Sequence, residues 1–202
     1  HSPLSHEVVV LFPDQADNGF QQGMTGANKC RHGLLVNTAF LKADALVFFS
    51  PDGNENSKDI SCFRHYLSEG AAMVIASRMM EGAVNEEDAQ RIRFRKWANN
   101  SFNWLVNLFW NRGPYITDSI NGFRAITRDA WDQIRLDGTG YTIEYQSTIR
   151  CLKLRLPVRE FPTTEGQRIG GESYAKSIPT GLRFLRLLFS EIAVGTRFLE
   201  RS

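Results

Sequence analysis

The sequence predicts an α/β fold, with a mostly parallel sheet flanked by helices and a C-terminal amphipathic helix. Three observations carry the prediction. Val- and Phe-rich apolar runs alternate with helically spaced stretches from Glu7 to Ser77, the pattern of strands joined by helical crossovers. The run Ala45-Leu46-Val47-Phe48-Phe49 is apolar without alternation, as a strand buried on both faces is. That run stops at Ser50-Pro51-Asp52-Gly53, where Pro ends the ladder and Gly allows a sharp turn. Asp52 is thereby presented at the carboxyl end of the strand, the edge at which open α/β sheets bind ligands. Read alone, Asp52 fits a plain βα turn with a helix-capping acid better than a ligand site.

Glu7 to Phe12 reads as the first strand, closed by Pro13-Asp14, and Gln15 to Gly26 as a loop. Cys30 to Leu41 has helical spacing of Leu34, Leu35, Ala39 and Phe40. Ile60 to Leu67 places Phe63 and Leu67 on one helix face, and Ala71 to Ser77 is a third strand, followed by Arg78. Three strands with helices between them predict parallel pairing with right-handed crossovers. Glu81 to Asp88 is a polar loop. A long helix from about Gln90 to Trp110 carries apolar Phe94, Trp97, Phe102, Leu105, Leu108 and Phe109. Asn111-Arg112-Gly113-Pro114 stops it. A short strand follows at Gly122 to Ile126, then helices at Arg128 to Ile134 and Glu144 to Leu154, and a strand at Val158 to Phe161. Gln167 to Ser173 is a Gly-rich loop, and the last helix runs from about Ile178 to Leu199.

The 202 residues, 42% hydrophobic and 23% charged, suit one globular core. A net charge of +2 gives no reason to expect a nucleic-acid partner. Cys30, Cys62 and Cys151 lack metal spacing and read as reduced thiols of a cytosolic protein. No apolar run reaches the ~18 residues of a membrane span. The four histidines match no motif.

Four features on strand ends and loops could carry chemistry: Asp52, Arg78, Asp118, and the basic loop from Arg168 to Ser173. A carboxylate after a strand suits a hard cation, and substrate phosphates complete such a shell. Arginine binds phosphate bidentately. An Arg beside two glycines fits a loop that closes over a ligand. Together they predict a phosphate-rich substrate held by metal and arginine.

The order of these pieces resembles the family 2 glycosyltransferases of GT-A (Rossmann-like) fold, in particular the dolichol-phosphate mannosyltransferase and polyprenyl-phosphate glycosyltransferase branch. The resemblance runs from about Lys29 to Phe189. It rests on Phe49-Ser50-Pro51-Asp52-Gly53-Asn54, Ile75-Ala76-Ser77-Arg78, Arg95 and Asn103. It continues through Asp118-Ser119-Ile120-Asn121-Gly122-Phe123-Arg124-Ala125, Tyr141-Thr142-Ile143-Glu144, Glu160-Phe161-Pro162 and Arg168-Ile169-Gly170-Gly171-Glu172-Ser173.

The resemblance implies inverting transfer of a sugar from a nucleotide-diphosphate donor (GDP-mannose or a UDP-hexose) to a polyprenyl or dolichyl phosphate. Asp52 would bind Mg²⁺ or Mn²⁺ on the donor diphosphate, and Asp14 or Asp17 would be the nucleotide-binding acid. Arg78 and Arg95, with Asn99 as a further donor, would hold the acceptor phosphate. Asp118 would sit near the reacting sugar, and Arg168 and Ser173 on the closing loop. Glu144 would take the acidic position on the helix behind the site. The chain departs from the family at Ser50, where an acid usually stands.

The chemistry is consistent with these parts. A phosphate monoester, with a second pKa of about 6, is already a nucleophile at neutral pH and needs positioning more than a general base. A saccharide or protein acceptor is the second reading, although a neutral hydroxyl gains little from two arginines and would want a carboxylate base. A degenerate, non-catalytic nucleotide-sugar-binding relative is the third, supported by Ser50. The chain divides into a catalytic domain over 1–176 and a helical tail over 177–202. Ile178, Leu182, Leu185, Leu188, Phe189 and Ile192 form the tail's apolar stripe, flanked by Arg183 and Arg186. That stripe fits packing on the chain's own core, or an anionic membrane surface. The expected location is peripheral, at the cytoplasmic face of a membrane.

Overall fold

The computed structural model describes residues 8–11, 43–49, 54–84, 94–138, 142–166 and 177–200. Among the described residues it is a mixed α/β structure built on one open mixed sheet. The strands are β1 (Val8–Leu11), β2 (Ala45–Phe48), β3 (Met73–Ser77), β4 (Arg124–Thr127) and β5 (Val158–Pro162). The helices are α1 (Ile60–Ser68), α2 (Phe94–Phe109), α3 (Arg128–Ile134), α4 (Ile143–Lys153) and α5 (Ser177–Val194). The helix expected over Cys30 to Leu41 lies outside the described residues.

The strand order is β1-β2-β4-β3-β5. β1 pairs parallel with β2, and β3 parallel with β5, whereas β4 lies antiparallel to both β2 and β3. The first three strands therefore share a direction as expected, but β2 and β3 do not pair, because β4 inserts between them. The cause lies at the start of β4. The Asn121 side-chain amide donates to the Ala76 carbonyl, and Ala76 N donates to the Phe123 carbonyl at 3.0 Å. These bonds bring the chain into the sheet at the carboxyl end of β3, so β4 can only run back.

Alternation along the strands sorts the core onto two faces. Ala45, Val47, Val74, Ala76 and Ala125 meet Phe63 and Leu67 of α1, with Phe123 and Phe161. Leu46, Met73, Ile75, Ile126 and Val158 face the other side, under Phe102 and Val106 of α2, Ile134 of α3, Tyr145 and Ile149 of α4, and Phe184 and Leu188 of α5. The continuous apolar run of β2 is thus explained by burial on both sides. The Thr127 side chain caps α3, accepting from Ala130 N at 3.3 Å.

The final helix is shorter than its apolar pattern predicts. It ends at Val194 because Gly195 turns left-handed at φ +58°, the usual stop signal. A 3₁₀ turn over Arg197–Glu200 then folds back and buries Phe198 beneath the Arg150 guanidinium, 4.5 Å from the ring centroid. The predicted stripe is split: Leu188 joins Phe184 in the shared core, while Leu182, Leu185, Phe189 and Ile192 stay exposed. Glu191 continues the buried line. Its carboxylate is 1% exposed and accepts from Gln146 Nε2 at 2.8 Å, Arg150 Nη2 at 2.9 Å and Lys153 Nζ at 2.6 Å. No helix among the described residues is long and apolar enough to cross a membrane.

Candidate functional site

The carboxyl end of β3 is where the polar side chains gather. Beyond Ser77 the chain leaves the sheet, and Arg78 turns onto Asp118. Its Nε donates to Asp118 Oδ2 at 2.8 Å, its Nη2 to Oδ1 at 3.1 Å, and its main-chain N to Oδ2 at 3.1 Å. Asp118 is fully buried and the Arg78 side chain 18% exposed. The pair joins the two residues expected at the acceptor phosphate and the reacting sugar. Charge-assisted bonds of this bidentate kind are among the strongest that neutral pH allows.

Asp118 stands on a segment without regular structure that three elements hold in place. From α2, Asn103 donates to the Thr117 carbonyl and accepts from Ser119 N at 2.9 Å. One turn on, Asn107 donates to the Ile116 carbonyl and accepts from Ile116 N, both at 2.8 Å. Just past the helix, Asn111 donates to the Pro114 carbonyl at 2.7 Å and accepts from Gly113 N at 2.8 Å. An amide side chain carries a donor and an acceptor in one plane. Asparagines four residues apart can therefore line a helix with a substitute strand edge.

From β5, Glu160 accepts from Thr117 N at 2.7 Å, Thr117 Oγ1 at 3.0 Å and Asp118 N at 2.9 Å. Burial pushes the Glu160 carboxyl above its usual range, and these three bonds pull it partly back. From β3, Ser77 Oγ meets Thr117 Oγ1 at 2.6 Å while accepting from Met79 N and Met80 N.

Arg124, at the start of β4, closes the site from below. It is 3% exposed and donates to the carbonyls of Ser119, Asn121 and Glu144 and to the hydroxyls of Ser147 and Thr148. Burial lowers its pKa to about 10, against the opposing pull of the Glu144 and Asp118 charges. Glu144 sits in the first turn of α4 with Oε2 shut off from solvent and without a hydrogen-bond partner among the described residues. Burial raises its pKa, and the Arg124 charge offsets part of that rise.

The other residues singled out in the sequence are distributed as follows. Asn99 is half-buried on α2, and Arg95 lies in its first turn. Asp14, Asp17, Asp52, Arg168 and Ser173 lie outside the described residues. The described residues contain no group of three His, Cys, Asp or Glu that could hold a metal ion. Both Asp118 oxygens are committed to Arg78, and both Glu160 oxygens to the Thr117–Asp118 amides.

Asn107, Asn111, Arg124 and Glu160 drew no assigned role from sequence alone. The first two had a signal in their spacing with Asn103. A cationic side chain inside a strand otherwise reading as apolar was the signal for Arg124. Glu160 had its place in the Glu160-Phe161-Pro162 motif as a signal but no role, since its partners are main-chain amides more than forty positions away. The chain matches no protein-family model and no curated protein.

Proposed function

We propose that the chain is an inverting glycosyltransferase of GT-A fold that moves a sugar from a nucleotide-diphosphate donor to a polyprenyl or dolichyl phosphate, working peripherally at the cytoplasmic face of a membrane. The observation that carries the reading is the Arg78–Asp118 pair. It lies at the carboxyl end of β3 and is braced from α2 and β5. A phosphate acceptor is its own nucleophile, so catalysis consists of placement and charge compensation. Arg78 and Arg95 would relieve repulsion between acceptor and donor phosphates. Asp118 would orient Arg78 and flank the sugar. Asp52 would hold Mg²⁺ or Mn²⁺, which when bound neutralises charge on the departing diphosphate. Asp14 or Asp17 would bind the nucleotide, Asn99 would add a hydrogen bond to the acceptor, and Arg168 and Ser173 would close over the donor.

A second reading, a neutral hydroxyl acceptor on a saccharide or protein, draws support from Glu144. A carboxyl with a raised pKa and one oxygen shut off from solvent and unpartnered among the described residues is what a general base needs. Calorimetric titration of UDP, GDP, CDP and their sugars, with and without Mn²⁺, tests the donor side. Metal-dependent binding of one base is expected, lost in Asp52→Ala and kept in Arg78→Ala. Transfer to polyprenyl phosphate should vanish in Arg78→Ala. Normal turnover by both variants would refute the assignment, and transfer to a hydroxyl acceptor that fails in Glu144→Gln would install the second reading.

A further inference from the structure

Every residue of α4 from Tyr145 to Leu152 is buried. The helical period sorts their partners onto three sides. Tyr145, Ile149 and Leu152 enter the core. Ser147 and Thr148 turn toward the site: their hydroxyls accept from Arg124 Nη1 at 2.8 and 3.0 Å, and Thr148 donates to the Ser119 carbonyl at 2.9 Å. Gln146, Arg150 and Lys153 turn toward α5 and the 3₁₀ turn that follows it. Gln146 Nε2 donates to Asp137 at 2.6 Å and to Glu191 at 2.8 Å. Arg150 joins the same two acids, at 2.6 and 2.9 Å. Lys153 Nζ donates to the Glu191 and Gly195 carbonyls at 2.6 and 2.8 Å. Phe198, 1% exposed, lies against both cations, its ring centroid 4.5 Å from Arg150 Cζ and 5.6 Å from Lys153 Nζ.

A polar cluster of this kind is stable when complete and costly when partly broken. Its acid Glu191 is buried, but the Asp137 side chain is 44% exposed, so water stands at the edge of the cluster. Two arrangements follow, sealed with Phe198 seated or opened to water with Phe198 lifted, and such two-state elements are what carry coupling between distant sites. Opening would release the Gln146–Arg150–Lys153 side of α4, while the opposite side holds Arg124 and the Ser119 carbonyl. Ser119 is then left with Asn103 of α2 and with an Arg124 whose own partners on α4 have loosened. Asp118 is the next residue along the chain. We propose that the 3₁₀ turn Arg197–Glu200 is a strap that, by seating Phe198, sets the position of α4 and through it the order of the Asp118 segment.

Native-state hydrogen exchange across a urea series tests the strap. It uses no nucleotide and no acceptor, so the result stands apart from the transfer reading. Phe198→Ala should speed exchange at the Asp118 and Ser119 amides by roughly threefold to thirtyfold. The effect should persist well below the unfolding transition, through an opening that urea hardly promotes, the mark of local rather than global unfolding. Phe198→Leu keeps most of the apolar volume and gives up the ring facing the guanidinium. It should show the same local effect at the lower end of that range, and it carries the test if the alanine variant does not fold. Leu199→Ser, at a neighbouring position that is 41% exposed, should leave both amides at the parent rate. Parent-like exchange at both amides in the Phe198 variants would overturn the proposal. So would an increase confined to the urea-dependent route that also opens Leu46 and Val47 of β2, since the turn would then only add to global stability. A Leu199→Ser effect equal to that of Phe198→Leu would overturn it as well.

Discussion

Asp118→Asn tests whether the pair at the end of β3 is a working interaction. The substitution keeps the shape and removes the charge. It also turns a donor toward Arg78, where Asp118 had accepted three bonds from that residue. Breaking a fully buried ion pair by removing one partner costs about 3–5 kcal/mol. Arg78 keeps 18% of its side chain in contact with solvent, and water can take back part of the lost solvation, so the expected loss is about 2–3 kcal/mol. In a chain of this size that lowers the melting temperature by roughly 4–12 °C. The fold should survive, because domains have roughly 5–15 kcal/mol in hand. A cycle with Arg78→Met, read by urea unfolding, isolates the pair: its coupling should reach roughly 1–3 kcal/mol. If Asp118→Asn costs as much in the Arg78→Met background as in the parent, the pair contributes nothing and the site has been misread.

Other perturbations separate the remaining parts. Glu191→Ala leaves Arg150 and Lys153 buried without their shared carboxylate, and should lower the unfolding free energy by about 3–5 kcal/mol in urea titration. Asn107→Ala frees both the amide and the carbonyl of Ile116. It should cost about 1–3 kcal/mol and speed hydrogen exchange at Ile116 while leaving the β3 amides as they were. The raised pKa of Glu144 means the folded state holds that proton more tightly than the unfolded chain does. Ionising it therefore costs stability above the folded pKa, and that cost fades as pH falls toward the ordinary 4.5. Glu144→Gln should accordingly gain on the parent at neutral pH and lose that advantage in acid, as thermal melts across the range will report.

What could be read beforehand follows from how local the cause is. β2 was legible because burial on both faces leaves an unbroken apolar run. α3 was legible because Arg128 to Ile134 follows a capping Thr and shows helical spacing. The place of β4 was not, since its direction is set by Asn121 and Phe123 meeting Ala76, contacts across more than forty residues. The two long helices carry more apolar residues than one buried face can hold, so the stripe read on the last helix divides, and so does the apolar set of α2. Phe102 and Val106 go inward on α2 while Trp97 and Leu108 stay outside. At the site, Arg78 and Asp118 were each visible as a charged residue at a strand end or turn. That they bind one another, and that Glu160 and the asparagines hold them, depends on tertiary placement that no local spacing encodes.

The support around Asp118 bears on how such a site would act. A short polar segment with no regular structure is ordinarily free to move. Here its main chain is spoken for at successive positions: Ile116 by Asn107, Thr117 by Asn103 and Glu160, Asp118 by Glu160, Ser119 by Asn103 and Arg124. Glu160 uses its charge on amides and Asp118 uses its charge on Arg78, so two acids that meet through the Asp118 amide are each balanced separately. Such an arrangement holds a carboxylate and a guanidinium at a fixed angle before any ligand arrives. For the proposed transfer, the reorganisation that would otherwise oppose a charged reaction would then have been met during folding. By the same logic Asn103 and Glu160 would be sensitive positions for that transfer without either touching a substrate, because a shift of about 1 Å at reacting groups is enough to lower a rate a hundredfold.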